Sequence, residues 1–152
     1  MTATPKPRAS ANRPKDDSFH DILAELERIL GNAPRPDADP PNYLLLDAEL
    51  RKLHARFRVH QASDFFNAQT NPAVAAAPQL GDEFTRLGAE HTRILGLLDW
   101  LLRHVDAMPD LPVEDRDVFL LRLREMIAVL RRHEAEEDRL LLTLWHDTGG
   151  ES

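Results

Sequence analysis

The chain has 152 residues, of which 42% are hydrophobic and 30% charged, and its formal net charge is −7. This length and apolar content suit one compact domain with its own core. Cysteine is absent, which excludes disulfides, thiolate metal sites and cysteine nucleophiles together. The acidic charge would repel a phosphate backbone, so we expect no nucleic-acid partner.

Residues 1–17 differ in composition from the rest of the chain. They contain three prolines and are basic, carrying Lys6, Arg8, Arg13 and Lys15 against Asp16 and Asp17. This stretch is predicted to be a disordered tail. It has no apolar run like that of a signal peptide, and no part of the chain approaches the roughly 20 apolar residues of a membrane span. We therefore expect a cytoplasmic protein that does not associate with membranes.

Leu, Ala, Arg and Glu dominate the composition, which favours helix over strand. Prolines mark the gaps between helices, since proline breaks a helix interior. The predicted helices span residues 18–30, 42–67, 82–106 and 112–146. Ser18 is a predicted N-cap and Gly31 closes the first helix. We predict an all-α fold: an antiparallel, up-down-up-down four-helix bundle over residues 18–146, with a flexible C-terminus at 147–152.

Polar side chains interrupt the predicted buried faces of three helices. At spacings of three and four residues, the second helix places His60 and Asp64 after an apolar stripe of Leu46, Leu50, Leu53 and Phe57. The third helix places His91 among leucines and isoleucine, and the fourth places His133 and Glu137 between Leu130 and Leu141. A buried carboxylate without a partner costs several kcal/mol, so something must neutralise these groups.

The same residues are predicted to lie at one level of the bundle. If the helices alternate in direction, the start of the first and third helices meets the end of the second and fourth. At about 1.5 Å rise per residue, His20 joins the other candidates in a layer roughly 10 to 15 Å deep. His54, His104 and His146 fall outside this layer by face or by level.

Four imidazoles and two carboxylates in one layer suit two borderline metal ions bridged by both carboxylates. Zinc alone would usually need only four ligands. The competing interpretation has no metal: His60 with Asp64 and His133 with Glu137 would form buried hydrogen-bonded pairs, or water would reach them at a loose bundle end.

Four segments in this order, "HDILAEL", "HQASD", "EHTRILGLL" and "RRHEAEE", resemble the hemerythrin-like, or HHE cation-binding, family over residues 18–146. The resemblance implies a four-helix bundle with two iron ions in a non-haem centre, manganese being the alternative metal. It implies the ligands His20, His60, Asp64, His91, His133 and Glu137. The implied function is to bind or sense dioxygen or another small diatomic ligand, or to store iron, and sensing would require a protein partner.

The chain departs from the family pattern at two positions. Leu95 stands where oxygen-carrying hemerythrins have a further histidine, and Asp64 replaces the more common glutamate. An enzyme that reacts with peroxide or nitric oxide at the open position is therefore an alternative, and a metal-free structural bundle is another. Glu90 and Gln61 are candidates for an extra ligand, for a hydrogen bond to a ligand, or for a solvated helix flank. Gly88 and Gly96 would leave space for a small ligand or permit close helix packing.

Overall fold

The computed structural model describes residues 18–31, 40–62 and 71–149, and this part of the chain is helical with no strand. The helices are α1 (Phe19–Leu30), α2 (Tyr43–Ala62), α3 (Pro72–Ala75), α4 (Gly81–His104) and α5 (Val113–Gly149). Two 3₁₀ segments, Pro78–Leu80 and Val105–Asp110, precede and follow α4. None of these helices is both long and apolar enough to cross a membrane. The all-α prediction is confirmed.

The four long helices lie where the proline gaps predicted them. The described part of α2 ends at Ala62, and the rest of the predicted helix, to residue 67, lies outside the described residues. The helix α5 continues to Gly149, three residues into the segment 147–152 that was predicted to be a flexible C-terminus. The short α3 was not predicted; Asn71 caps it by accepting a hydrogen bond from the Ala73 N–H. The predicted disordered tail, residues 1–17, lies outside the described residues.

Local capping explains where α1 and α2 begin and where α1 ends. The Ser18 hydroxyl accepts a hydrogen bond from the Asp21 N–H, and the Asn42 side chain accepts one from the Leu45 N–H, each at 3.2 Å. Gly31 ends α1 with a φ of 71°, a left-handed conformation that glycine adopts without the steric cost of a Cβ. The caps predicted at Ser18 and Gly31 are confirmed.

The main core lies between α1, α2, α4 and α5 and also receives the 3₁₀ segment after α4. Its fully buried members are mostly leucine, and they include Leu23, Leu26, Leu46, Leu50, Leu53, Phe57, Ile94, Leu98, Leu101, Phe119, Leu123 and Leu130. Contacts between α1 and α2, α2 and α4, α4 and α5, and α1 and α5 close this core. Its members recur at the three- and four-residue spacings from which the inward faces were predicted.

A smaller core lies further along α5 and at the start of α4. It consists of Val74, Ala77, Phe84, Leu87, Leu140 and Leu144. Between the two cores, α5 carries His133 and Glu137, the only polar residues that are buried within the described part of the chain. The fold thus places a polar layer between two apolar ones.

Three ion pairs join α4 to α5 along one exposed face. They are Glu83–Arg139 at 2.7 Å, Arg86–Glu136 at 3.1 Å and Glu90–Arg132 at 3.2 Å. We call these the α4–α5 ion pairs. Exposed pairs of this kind contribute little stability, about 0 to 1 kcal/mol each, but they relate each turn of α4 to one turn of α5.

Candidate metal centre

Three helices supply the polar layer. His133 and Glu137 are four residues apart on α5 and therefore share its inward face. His60 lies near the end of the described part of α2, and His91 lies in the third turn of α4. Each occupies a position where the apolar stripe of its helix would otherwise place a leucine.

The three imidazoles converge on one carboxylate oxygen. The Nε2 atoms of His60, His91 and His133 lie 2.9, 3.0 and 2.5 Å from Oε1 of Glu137. One possible ligand atom from each of the four residues lies within 4.8 Å of all the others. The rings of His91 and His133 are also close, with centroids 4.7 Å apart. Four donor atoms from three helices therefore surround one small volume.

The hydrogen bonding of this cluster leaves a donor or acceptor unsatisfied. Although His133 Nε2 is near Glu137 Oε1, the contact lacks hydrogen-bond geometry, and this buried nitrogen has no hydrogen-bond partner among the described residues. A carboxylate oxygen has two lone pairs and cannot accept well from three imidazoles at once. A divalent cation would be coordinated by all four groups, and three imidazoles with one carboxylate are a common donor set for borderline metals. The residues present therefore fit a metal ion.

Burial and mutual attraction act in opposite directions on these groups. Burial alone would raise the pKa of Glu137, but the close contacts of its carboxylate with the imidazoles of His133, His60 and His91 lower that pKa far below the ordinary value. Burial opposes the charged form of His133, yet the nearby carboxylate of Glu137 and then that of Glu90 raise its pKa. The carboxylate is therefore ionised and available as an anionic ligand.

Glu90, on α4, contacts His133 from the side away from the cluster. Its Oε2 lies 3.5 Å from His133 Nδ1, a long hydrogen bond, while its Oε1 accepts from Arg132 at 3.2 Å. Burial raises the pKa of Glu90, but the hydrogen bonds from Arg132 and His133 lower it overall. A carboxylate on Nδ1 fixes the proton there and directs Nε2 to the cluster. Three roles were predicted for Glu90. This contact supports one of them, a hydrogen bond to a residue of the candidate metal centre, here His133.

Two phenylalanines form an apolar wall beside the imidazoles. The Phe19 ring meets His60 edge-on at 5.6 Å, and the Phe57 ring meets His91 in the same way at 5.6 Å. The side chain of His133 is 1% exposed, that of His91 14% and that of His60 26%. The cluster is therefore closed at α5 and most accessible beside His60.

Two of the six predicted ligands are not in this group. His20 is exposed on α1 and contributes no atom to the cluster of four. It follows Phe19 and precedes the inward pair Ile22 and Leu23, so it points away from the stripe that buries α1. Asp64 lies outside the described residues.

Glu134 was not predicted, although it belongs to the surroundings of the site. It is half-buried, and its pKa is raised by burial and then by the charges of Asp138 and Glu137, while Arg131 and His20 oppose this rise. His20 is thus close enough to Glu134 to act on its charge. The sequence carried only a weak signal for Glu134, its position directly after His133.

The glycines of α4 play neither role that was predicted for them. A Cβ added at Gly88 or Gly96 would meet nothing within 4 Å, and both residues are exposed. Neither glycine leaves space beside the cluster or permits close packing.

The exclusion of His54 and His104 from the site agrees with the structure. His54 contacts Asp99 at 2.7 Å, and His104 donates to the Trp100 carbonyl at 2.7 Å.

The four-residue cluster can coordinate one cation and leave coordination positions for an exogenous ligand on a metal that prefers more than four ligands. Its accessible side, next to His60, is where such a ligand would enter. Comparison of the chain with protein-family models, with curated proteins and with solved structures finds no match.

Proposed function

We propose that this chain is a hemerythrin-like metal-binding protein. Its fold would be an antiparallel, up-down-up-down four-helix bundle, and its polar layer would hold a non-haem di-iron centre that binds or senses dioxygen, or stores iron. The observation that carries the proposal is the convergence of His60, His91, His133 and Glu137, from three helices, to within 4.8 Å. A buried polar layer of this kind destabilises the folded state unless a bound ligand compensates its charges.

The antiparallel arrangement is supported by which residues meet. In the α4–α5 ion pairs, the α5 partner moves toward the chain start as the α4 partner moves toward the chain end. Between α2 and α4 the same reversal occurs, since His54 contacts Asp99 whereas His60 contacts His91. The α1 residue Glu27 pairs with Arg131 of α5 at 2.8 Å. These contacts favour neighbours of opposite direction.

The residues of the chain would divide the work at the centre. The four cluster residues would bind the metal, Glu90 would hold the proton of His133 on Nδ1, and Phe19 and Phe57 would exclude water from one side. Iron, when bound, supplies a redox-active position that can bind a diatomic ligand. The limited exposure of the cluster, 26% at the side chain of His60, favours a small ligand over a large organic substrate.

The second iron of the proposal would require ligands beyond the cluster of four. The sequence assigns His20 and Asp64 to this role, with Glu137 and Asp64 as bridges. Support comes from Phe19, which precedes His20 and contacts His60, and from the effect of His20 on the pKa of Glu134. For His20 to bind the second iron, the first turn of α1 would have to turn this exposed side chain toward the cluster.

An enzyme is the second candidate function. Leu95, half-buried against the main core, cannot ligate a metal, so the position one turn beyond His91 on α4 contributes no ligand. A centre with fewer protein ligands keeps positions for peroxide or nitric oxide. Stopped-flow absorbance of the reduced, iron-loaded protein separates the two candidates: a spectral change that reverses on removal of dioxygen supports binding, and sustained consumption of peroxide or nitric oxide supports catalysis.

Metal analysis tests the main proposal. Protein reconstituted anaerobically with ferrous iron, and in parallel with manganese or zinc, is expected to retain about two iron ions per chain after desalting. A single ion of any metal would restrict the site to the cluster of four. Less than half an equivalent of each metal would favour the metal-free structural bundle and reject the proposal.

A further inference from the structure

A second polar site lies at the other end of α2 from the metal centre. A half-open cavity of about 340 Å³ is lined by the first turn of α2, the 3₁₀ segment after α4 and the first turn of α5. His60 and Tyr43 are 17 residues apart on α2, which at 1.5 Å per residue separates the two sites by about 25 Å. The cavity therefore cannot be an extension of the metal centre.

Two residues that line this cavity each carry a buried polar atom without a hydrogen-bond partner in the ranges that the structure describes. Tyr43 is 8% exposed, and its hydroxyl oxygen makes no hydrogen bond to any described residue. Arg116 Nε, on the first turn of α5, is buried and has no hydrogen-bond partner in the described part of the chain. A buried polar group without a hydrogen bond costs about 1 to 3 kcal/mol, so two of them lining one cavity indicate a missing acceptor.

The other residues that line the cavity indicate the chemical class of the missing acceptor. The cavity also meets the N-terminus of the 20-residue helix α2, where the partial positive charge of the helix dipole favours an anion. Five apolar residues form its walls: Pro40, Pro41, Leu44, Val105 and Pro109. Asp106 lies at the exposed rim, where its negative charge disfavours a doubly charged phosphate more than a singly charged carboxylate.

We propose that this cavity binds a small organic monocarboxylate, with the carboxylate accepting hydrogen bonds from the Tyr43 hydroxyl and the Arg116 guanidinium and the apolar body packing against the prolines. The Tyr43 ring is held in place by an edge contact with Phe119, with centroids 6.2 Å apart, so its hydroxyl is positioned before a ligand arrives. The volume lies within the range of small-molecule pockets. The site does not depend on the proposed metal function.

Tyr43 is the only tyrosine of the chain, so it can be observed alone. Protein labelled with ¹³C at tyrosine Cζ gives one NMR signal, which reports on the hydroxyl environment. Titration of the full-length protein with sodium benzoate to about 20 mM is expected to shift this signal saturably, and calorimetry is expected to give one site per chain. Benzyl alcohol, which lacks the charge, is expected to bind at least about tenfold more weakly.

Arg116→Gln is expected to weaken benzoate binding by about tenfold or more, because it removes the charged donor. Arg93→Gln is the matched control, since Arg93 is exposed on α4 and does not line the cavity; its benzoate affinity is expected to equal that of the wild type. Circular dichroism and metal content, measured on both variants, show that each remains folded.

The proposal is overturned by any of three results: no shift of the tyrosine signal with benzoate, equal affinity for benzyl alcohol, or unchanged affinity in folded Arg116→Gln. Inorganic phosphate binding more tightly than benzoate would also reject the monocarboxylate assignment. If Arg116→Gln does not fold, Tyr43→Phe replaces it, because it removes the hydroxyl while keeping the buried ring, and it is expected to weaken benzoate binding severalfold.

Discussion

The main core and the polar layer lie on the same helices but have opposite effects on the stability of the fold. Along α5, the buried positions up to Leu130 are apolar, whereas His133 and Glu137, the next two inward positions, are polar. The apolar part stabilises the fold without any ligand. The polar layer reduces that stability and separates the small core from the large one. A chain that needed only stability would continue the leucine stripe; the layer instead provides four groups that could hold a metal ion.

The largest expected effect lies in the polar layer. Glu137→Ala removes the carboxylate that all three histidines contact, and is expected to abolish metal retention after reconstitution and desalting. His54→Ala is the matched control, because His54 pairs with Asp99 outside the cluster and should leave metal content unchanged. Metal content per chain by mass spectrometry compares them. Equal losses in the two variants would mean that the cluster does not bind the metal.

The opposite contrast is expected in the main core. Leu98→Ala leaves a cavity at a fully buried position and should lower the free energy of unfolding by about 2 to 5 kcal/mol, with or without metal. Glu137→Leu replaces a buried ionised group with an apolar one, and the metal-free variant should be at least as stable as metal-free wild type. Chemical denaturation of both proteins provides the measurement. A strongly destabilised metal-free Glu137→Leu protein would show that the polar layer itself stabilises the fold.

Bound metal should offset part of the stability that the protein loses by having a polar layer beside its main core. Ligands from α2, α4 and α5 are linked only in the folded state, so metal at a hundredfold excess over its Kd should stabilise the protein by about 2.7 kcal/mol. At this chain length that corresponds to a rise in Tm of several degrees. Calorimetry on metal-loaded and metal-free wild type is compared with the same pair for Glu137→Leu. The gap should shrink in the variant, and identical Tm values in the wild type would contradict the metal centre.

A finer test concerns the residue behind His133. Glu90→Gln keeps the shape of the side chain but removes the charge that holds the proton on His133 Nδ1, so metal affinity should fall by about tenfold or more. Glu83→Gln is the matched control: it breaks the ion pair with Arg139 on the same face but touches no cluster residue. Competition with a chelator measures both affinities. Equal metal affinities in the two variants would mean that Glu90 only pairs with Arg132 and does not act on His133.

The smallest effect lies on the exposed side of α4. Because added methyl groups at Gly88 and Gly96 meet only open space, Gly88→Ala and Gly96→Ala should each stabilise the protein by about 0.5 to 1 kcal/mol. Metal content should not change. Gly31→Ala, at a φ of 71°, should instead destabilise it by roughly 1 kcal/mol. A loss of metal in either α4 variant would show that the glycine affects the metal centre after all.

The helices and four cluster residues could be predicted because both follow from periodicity. His60, His91, His133 and Glu137 each continue an apolar stripe, and a helix of known phase fixes the face on which a residue lies. His20 is a different case, since it sits between the inward residues of the short helix α1 rather than among them.

The glycines, the cavity and α3 were not predicted correctly, for other physical reasons. Helical phase alone would have excluded Gly96, which lies about 140° around α4 from His91, whereas Gly88, about 60° away, required knowledge of the neighbouring helices. The cavity beside Tyr43 and Arg116 could not be predicted, because it forms where three separate segments meet and no sequence period relates them. The short α3 also escaped prediction, since a single turn between prolines is too brief for a periodic signal.

The order of charges in the α4–α5 ion pairs opposes any shift of His91 on α4 relative to Glu137 on α5. A slip of one helical turn would carry His91 about 5.4 Å along α5, out of reach of Glu137. A slip in one direction would also bring Arg86 opposite Arg132, and a slip in the other would bring Glu90 opposite Glu136. Either error sets like charges against each other. Side chains that add little stability can thus reject both neighbouring registers, and in doing so keep α4 and α5 aligned at a carboxylate oxygen that none of these ion pairs contacts.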